Sequence, residues 1–323
     1  MRTVYSSVDS STEADSSGRT APVALFVYKR PLHTQRTIQA LAANPLANST
    51  DLIAFSDGAR TSLDEPLVSE VRGILASVAG FRSVTVVERE LNLGLSRSII
   101  QGVTTVCERF GRVIVLEDDM VTSPWFLTYM NDALNLYAED ADVASVHGYC
   151  YPVESTLPET FFLRGADCWG WATWSRSWRT FETDGRKLLD ALIESELAHE
   201  FDLDGAYDFT EMLRRQIAGR NDSWAVRWHA SCFLNGFLTL YPGRTLVRNI
   251  GNDATGAHCE ATDSFESAMT VDPIDVQRIP RVPLNDARLA FSKFLRSTHR
   301  RKSNVMFARA ARALGSLLEK YRR

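Results

Sequence analysis

A chain of 323 residues that is 45% hydrophobic and 24% charged carries enough apolar material for one large domain or two ordinary ones, which excludes disorder, collagen and a small disulfide scaffold. Its formal charge of −4 gives no overall field that favours nucleic acid. The balance is uneven, because from Ala287 onward eleven Lys or Arg face Glu319 alone, leaving +10 there and −14 over residues 1–286.

Residues 1–21 open the chain without an apolar core or a small-residue cleavage site and read as a disordered leader rather than a secretory signal. VALFVY from Val23 is a short apolar run of the kind found in strands buried on both faces, and a helix follows it until Asn44-Pro45. Asp51 to Phe55 predicts a second strand running into Ser56-Asp57-Gly58. A helix through Leu67, Val71 and Leu75 and a third strand at Val84 to Val87 come next. Ile99, Val103, Val106 and Phe110 mark one face of another helix, and Val113 to Leu116 supplies a fourth strand. Four alternations of strand and helix imply crossover units and a parallel α/β sheet with helices on its faces.

After Leu116 the rhythm changes. Ser123 and Pro124 are expected to open a helix through Leu127, Met130, Leu134 and Tyr137. Beyond residue 150 an aromatic stretch from Cys168 to Trp178 leads into helices near 187–201 and 206–219. No window reaches the roughly 18 apolar residues needed to cross a bilayer. The five cysteines (Cys107, Cys150, Cys168, Cys232, Cys259) lack the spacing of a structural zinc site and fit a reducing cytoplasm.

Glu117-Asp118-Asp119 falls at the carboxyl end of the fourth strand, where ligands bind in open α/β sheets. Three adjacent carboxylates repel one another and lose hydration, a cost that Mn²⁺ or Mg²⁺ with diphosphate oxygens would offset; the alternative is a solvated acidic turn. Arg30 in Tyr28-Lys29-Arg30-Pro31 and Asp57 leave the sheet at the same edge, and together the three strand ends outline a nucleotide pocket.

The ordered set VALFVYKRP, IAFSDG, ELNLGLSRSII and VIVLEDDM resembles the nucleotide-sugar half of GT-A-fold glycosyltransferases, with the nearest likeness to N-acetylglucosaminyltransferase I and to bacterial family-2-like transferases of surface-polysaccharide assembly. GADCWGWATW, DSWAVRW and YPGRTLVRNIGNDATGAHC extend it over roughly residues 22–260. The resemblance implies a mostly parallel Rossmann-like sheet with a nucleotide-sugar-binding half at 22–122, an irregular acceptor half at 123–284 and a basic helical tail at 285–323. It further implies a metal-dependent, inverting transfer of a hexosyl or N-acetylhexosaminyl group, from a UDP-sugar by first choice, to a glycan or lipid-linked acceptor. Arg30 and Asp57 would contact the nucleotide, Asp118 its ribose and Glu117 the donor sugar, and Asp119 would ligate the metal. Where the N-acetylglucosaminyltransferase carries its catalytic acid in W-D-D-W, this chain has Trp224-Ala225-Val226-Arg227-Trp228, so Asp222 is the first substitute as general base, then Glu211 and Asp253.

Trp169 and Trp171 are read either as core or as a wall on which a pyranose stacks, and His258 either as structural or as a diphosphate or metal contact. From Ser303 a basic amphipathic helix fits an anionic membrane surface, or else a solvated face packed on the core, and peripheral attachment of a cytoplasmic protein follows from the first. Two other functions share these features: a nucleotidyltransferase or sugar-nucleotide pyrophosphatase, against which the glycine-free Tyr28 to Pro31 loop argues, and a catalytically silent glycan-binding protein.

Overall fold

The computed structural model describes residues 19–253 and 264–298. The leader through residue 18, His258 and the basic helix expected from Ser303 lie outside them. The first half alternates as expected: β1 (Val23–Val27), α1 (Pro31–Ala42), β2 (Asp51–Ser56), α2 (Glu65–Ala76), β3 (Ser83–Glu88), α3 (Leu95–Phe110) and β4 (Arg112–Glu117). There follow β5 (Met120–Thr122), α4 (Phe126–Leu136), β6 (Val143–His147), β7 (Thr160–Arg164), β8 (Trp171–Trp174) and α5 (Ser175–Trp178). The chain continues through α6 (Gly185–Glu194), α7 (Ala198–Phe201), α8 (Phe209–Ile217), α9 (Trp224–Leu234), β9 (Leu238–Pro242) and β10 (Val247–Asn249). Residues 285–298 are helical.

Eight strands form one sheet in the order β3-β2-β1-β4-β8-β6-β9-β7, and β5 pairs with β10 beside it. β8 and β7 run against the other six, so the sheet is mostly parallel, the Rossmann-like α/β layout expected of a GT-A fold. β1 shows why its five residues are all apolar. Val23, Leu25 and Val27 enter one core cluster with Leu41, Val71, Leu127 and Leu134, while Ala24 and Phe26 enter the other with Ile99, Val103, Trp171 and Trp228. A two-residue period thus supplies both faces of the sheet at once.

Three local expectations shift. Ser123 does not cap α4; Pro124 and Trp125 form a turn, Ser123 Oγ donates to Thr270 O at 2.8 Å and accepts from Trp125 N at 3.3 Å, and the helix starts at Phe126. The helix expected over 187–201 divides into α6 and α7 where Glu196 takes φ +58. The stretch beyond residue 150 also adds three strands to the sheet, β7, β8 and β9, after β6 at residue 143. Trp171 to Trp174 and Leu238 to Pro242 are four and five buried residues long, and so short a run carries no period that separates a buried strand from a buried helix. Among the described residues no helix is long and apolar enough to cross a membrane. Cys107, Cys150, Cys168 and Cys232 are free thiols.

Candidate active site at the carboxyl end of β4

Arg30 leaves β1 and becomes the N-cap of α1, whose first position is Pro31, a residue with no N–H to lose there. Its guanidinium reaches over the end of the neighbouring β4 to Asp119, Nη1 to Oδ2 at 2.9 Å, with Asp118 Oδ1 at 3.8 Å. The turn is fixed on both sides: Thr37 Oγ1 donates to Asp118 O at 2.8 Å, and Ile250 N to Asp119 O at 2.9 Å. The second bond comes from the strand pair β5-β10, which brings residues 250–253 against the acids. Gly251 is required by this approach, because a Cβ there would overlap Asp119 Oδ2 and stand 2.8 Å from its Cγ and 3.0 Å from Arg30 Nη1. Asp253 follows, 3.3 Å from Arg30 Nη2 and 3.1 Å from His33 Nε2.

The acids are crowded and dry. Burial, then the charges of Asp119 and Asp118, push the Glu117 carboxyl well above the usual range. Burial and Asp119 hold Asp118 at about 7 against the pull of Arg30, and burial also raises Asp119 despite its pair with Arg30. Asp119 Oδ1 is buried with no hydrogen-bond partner among the described residues. One guanidinium against three carboxylates leaves a deficit of positive charge, and the unpartnered Oδ1 is a vacant oxygen donor of the type a hard divalent cation takes. No group of three or more His, Cys, Asp or Glu among the described residues could hold a metal by itself, so further ligands would have to come from a bound diphosphate and water.

Beside the acids a cavity of about 530 Å³ opens between β7, the β7-β8 loop, α8, α9 and helical residues 285–298. Asn252 and Cys168 mark the end nearest the acids, and the Cys168 thiol is raised by burial, by Asp167 and further by Glu117 and Asp119. The β7-β8 loop is tightly held. Gly165, at φ +91, packs where a Cβ would strike the His229 ring, 2.6 Å from Nδ1. Ala166 N lies 3.0 Å from His229 Nδ1, Trp169 N lies 3.1 Å from His147 Nε2, and Thr239 Oγ1 donates to Gly165 O at 2.6 Å. Asp167 caps this loop, accepting Cys168 N at 2.8 Å and the Tyr151 hydroxyl at 3.2 Å.

The expected site residues divide. Arg30, Glu117, Asp118, Asp119 and Asp253 come together, and Trp169 lines the cavity edge-on to Tyr149 at 4.8 Å. Asp57 is adjacent in the sheet, but its carboxylate already accepts Gly58 N, Leu93 N twice and Gly94 N at 2.9–3.1 Å. Three N–H groups, that of Leu93 shared between both oxygens, thereby hold the carboxylate, and Asp57 fixes the loop before α3. Trp171 is core: wholly buried, 5.4 Å from Trp224 and 5.9 Å from Trp228, it offers no face to a sugar. Asp222 and Glu211 are not brought to the cavity. Asp222 is 65% exposed and pairs with Arg227 at 3.2 Å, and Glu211 pairs with Arg215 at 3.1 Å on the outside of α8. His33, Gly251 and Asp167 were missed by pattern reading. His33 stands three residues from Arg30 at the start of α1, a spacing that shares one face, whereas nothing in the sequence announces the close approach at Gly251.

No protein-family model matches the chain, and no curated protein matches its sequence. Among solved structures it is similar to S. aureus TarS, at 12% identity and a TM-score of 0.33 over 50% of this chain. The likeness spans 30% of the TarS chain.

Proposed function

We propose that the protein is a metal-dependent, inverting glycosyltransferase that moves a hexosyl or N-acetylhexosaminyl group from a UDP-sugar to a hydroxyl of a glycan or lipid-linked acceptor in bacterial surface-polysaccharide assembly. The observation that carries the reading is the under-compensated Glu117-Asp118-Asp119 cluster at the carboxyl end of β4, next to a cavity able to hold a saccharide. Asp119, together with diphosphate oxygens, would hold Mn²⁺ or Mg²⁺, and such an ion would compensate charge on the departing nucleotide.

The chain's own residues do the rest. Arg30 orients Asp119 and keeps a positive charge beside the leaving diphosphate. Glu117 and Asp118 bind the donor sugar and ribose, and Asp57 acts through the loop at 91–94 that it shapes. Trp169 and the apolar cavity walls receive the acceptor. A silent glycan-binding protein is the second reading, favoured by Ala225, which lines the cavity where the resembling enzyme has its acid. Purified protein incubated with a panel of UDP-sugars separates them: the enzyme releases UDP in Mn²⁺ and stops in excess chelator, whereas the silent protein releases none.

A further inference from the structure

Ala225 lines the cavity without an acid, and neither Asp222 nor Glu211 reaches it, while Asp253 is drawn toward Arg30 and His33. An inverting displacement still needs a group that removes a proton from the attacking hydroxyl. We propose that Asp167 is this general base, a role that rests on the glycosyltransferase reading.

Three observations converge on it. The cavity wall carries two carboxylates among the described residues, Asp167 and Glu200, and Glu200 is bound to Arg164 at 3.1 Å and about half exposed. Asp167 lies instead next to Cys168, whose thiol is raised by burial and Asp167 and also by the charges of Glu117 and Asp119. Its surroundings are those of a preorganised base. Cys168 N and Tyr151 Oη each donate one bond, to Oδ1 at 2.8 Å and to Oδ2 at 3.2 Å, which fixes the plane of the carboxylate and leaves one acceptor position free on each oxygen. Tyr151, Tyr207, Tyr241, His147 and His229 surround it, and burial first, then the Asp167 charge, keep the tyrosine hydroxyls protonated. Burial pushes His229 down to about 4, so that ring is neutral at pH 7 and does not compete for the proton. His229 also lines the cavity, and its Nε2 is buried with no hydrogen-bond partner among the described residues.

In the step this assigns, the acceptor oxygen forms its bond to the anomeric carbon as the bond from that carbon to the diphosphate oxygen breaks, and the electron pair leaves with the diphosphate. The acceptor proton passes to an Asp167 oxygen and from there to solvent. The base has thus moved from the first turn of α9, where Ala225 sits, to the β7-β8 loop across the cavity.

The test uses the full chain with UDP-N-acetylglucosamine and UDP-glucose as probes and water as the acceptor, UDP release being read in Mn²⁺. Asp167→Asn keeps the shape and the bond accepted from Cys168 N, while its amide nitrogen can only donate to the Tyr151 hydroxyl, and it cannot take a proton, so release should fall by about 10²–10⁴-fold. UDP affinity by calorimetry in Mn²⁺ should stay within about threefold, and the melting temperature should be retained. UDP release by Asp167→Asn at the wild-type rate overturns the assignment, as does a loss confined to Asp222→Asn or Asp253→Asn. An Asp167→Asn protein that also loses UDP binding points to a structural role and equally overturns it. Wild-type protein that neither binds UDP in Mn²⁺ nor releases it defeats the glycosyltransferase reading itself, a failure distinct from the others.

Discussion

Gly251→Ala probes the acid cluster without touching any acid. The added methyl overlaps Asp119 Oδ2 and stands 2.8 Å from Asp119 Cγ and 3.0 Å from Arg30 Nη1, closer than packed carbon atoms come. Residue 251 cannot retreat freely, because its own N–H donates to Asn249 Oδ1 at 2.7 Å and the preceding Ile250 N is bonded to Asp119 O. Relief must come from Asp119 turning away, which breaks its 2.9 Å pair with Arg30 and leaves Arg30 with Asp118 at 3.8 Å and Asp253 at 3.3 Å. Overpacking of this kind costs about 1–3 kcal/mol, which lowers the melting temperature by several degrees. The carboxylate assigned to the metal is displaced at the same time, so Mn²⁺-dependent UDP binding should weaken by at least about tenfold, or about 1.4 kcal/mol. Thermal melting by circular dichroism and calorimetry with UDP and Mn²⁺ read the two effects separately. A variant that melts and binds like wild type would show that β10 does not brace the acid cluster.

Other consequences are as direct. Trp171→Ala, inside the core, should cost about 3–5 kcal/mol by denaturant unfolding, whereas Trp169→Ala at the cavity wall should cost much less and act on acceptor turnover. Asp57→Ala leaves the N–H groups of Leu93 and Gly94 without their charged acceptor just before α3, a loss of at least about 3 kcal/mol, seen as faster amide exchange over residues 90–98; unchanged exchange would contradict it. Folded Glu117 keeps a proton that the unfolded chain loses above about pH 4.3, so its contribution to stability is present below that pH and disappears as pH rises through its elevated folded value. Glu117→Gln has no such loss, and without divalent cation it should gain stability relative to wild type between pH 5 and pH 8; a pH-independent difference would contradict the crowding of the acids.

The first half of the fold is legible because its strands are buried on both faces and its helices carry a clear period, as Val23 to Val27 and Ile99 to Phe110 illustrate. Glu117 to Asp119 is legible as a site because a charged triplet directly after such a strand has few structural uses. The second half hides its strands, since Trp171 to Trp174 and Leu238 to Pro242 are short apolar runs amid other aromatic residues. Trp171 and Trp169 illustrate the same difficulty within the site. They are two residues apart, yet the strand buries one wholly and the loop sets the other at the cavity. Asp222 illustrates how nearness in sequence differs from nearness in space. It stands two residues before Trp224 in sequence, but its side chain pairs with Arg227, while Asp167, from the β7-β8 loop much earlier in the chain, lines the cavity.

The measurement that bears most directly on the acid cluster as a metal-and-diphosphate site is calorimetric titration of the protein with UDP, with and without Mn²⁺, repeated for Asp119→Ala. Wild type should bind UDP in Mn²⁺ and lose most of that affinity in chelator, and Asp119→Ala should bind equally weakly in both. UDP binding that is indifferent to Mn²⁺ and to Asp119 would contradict the account.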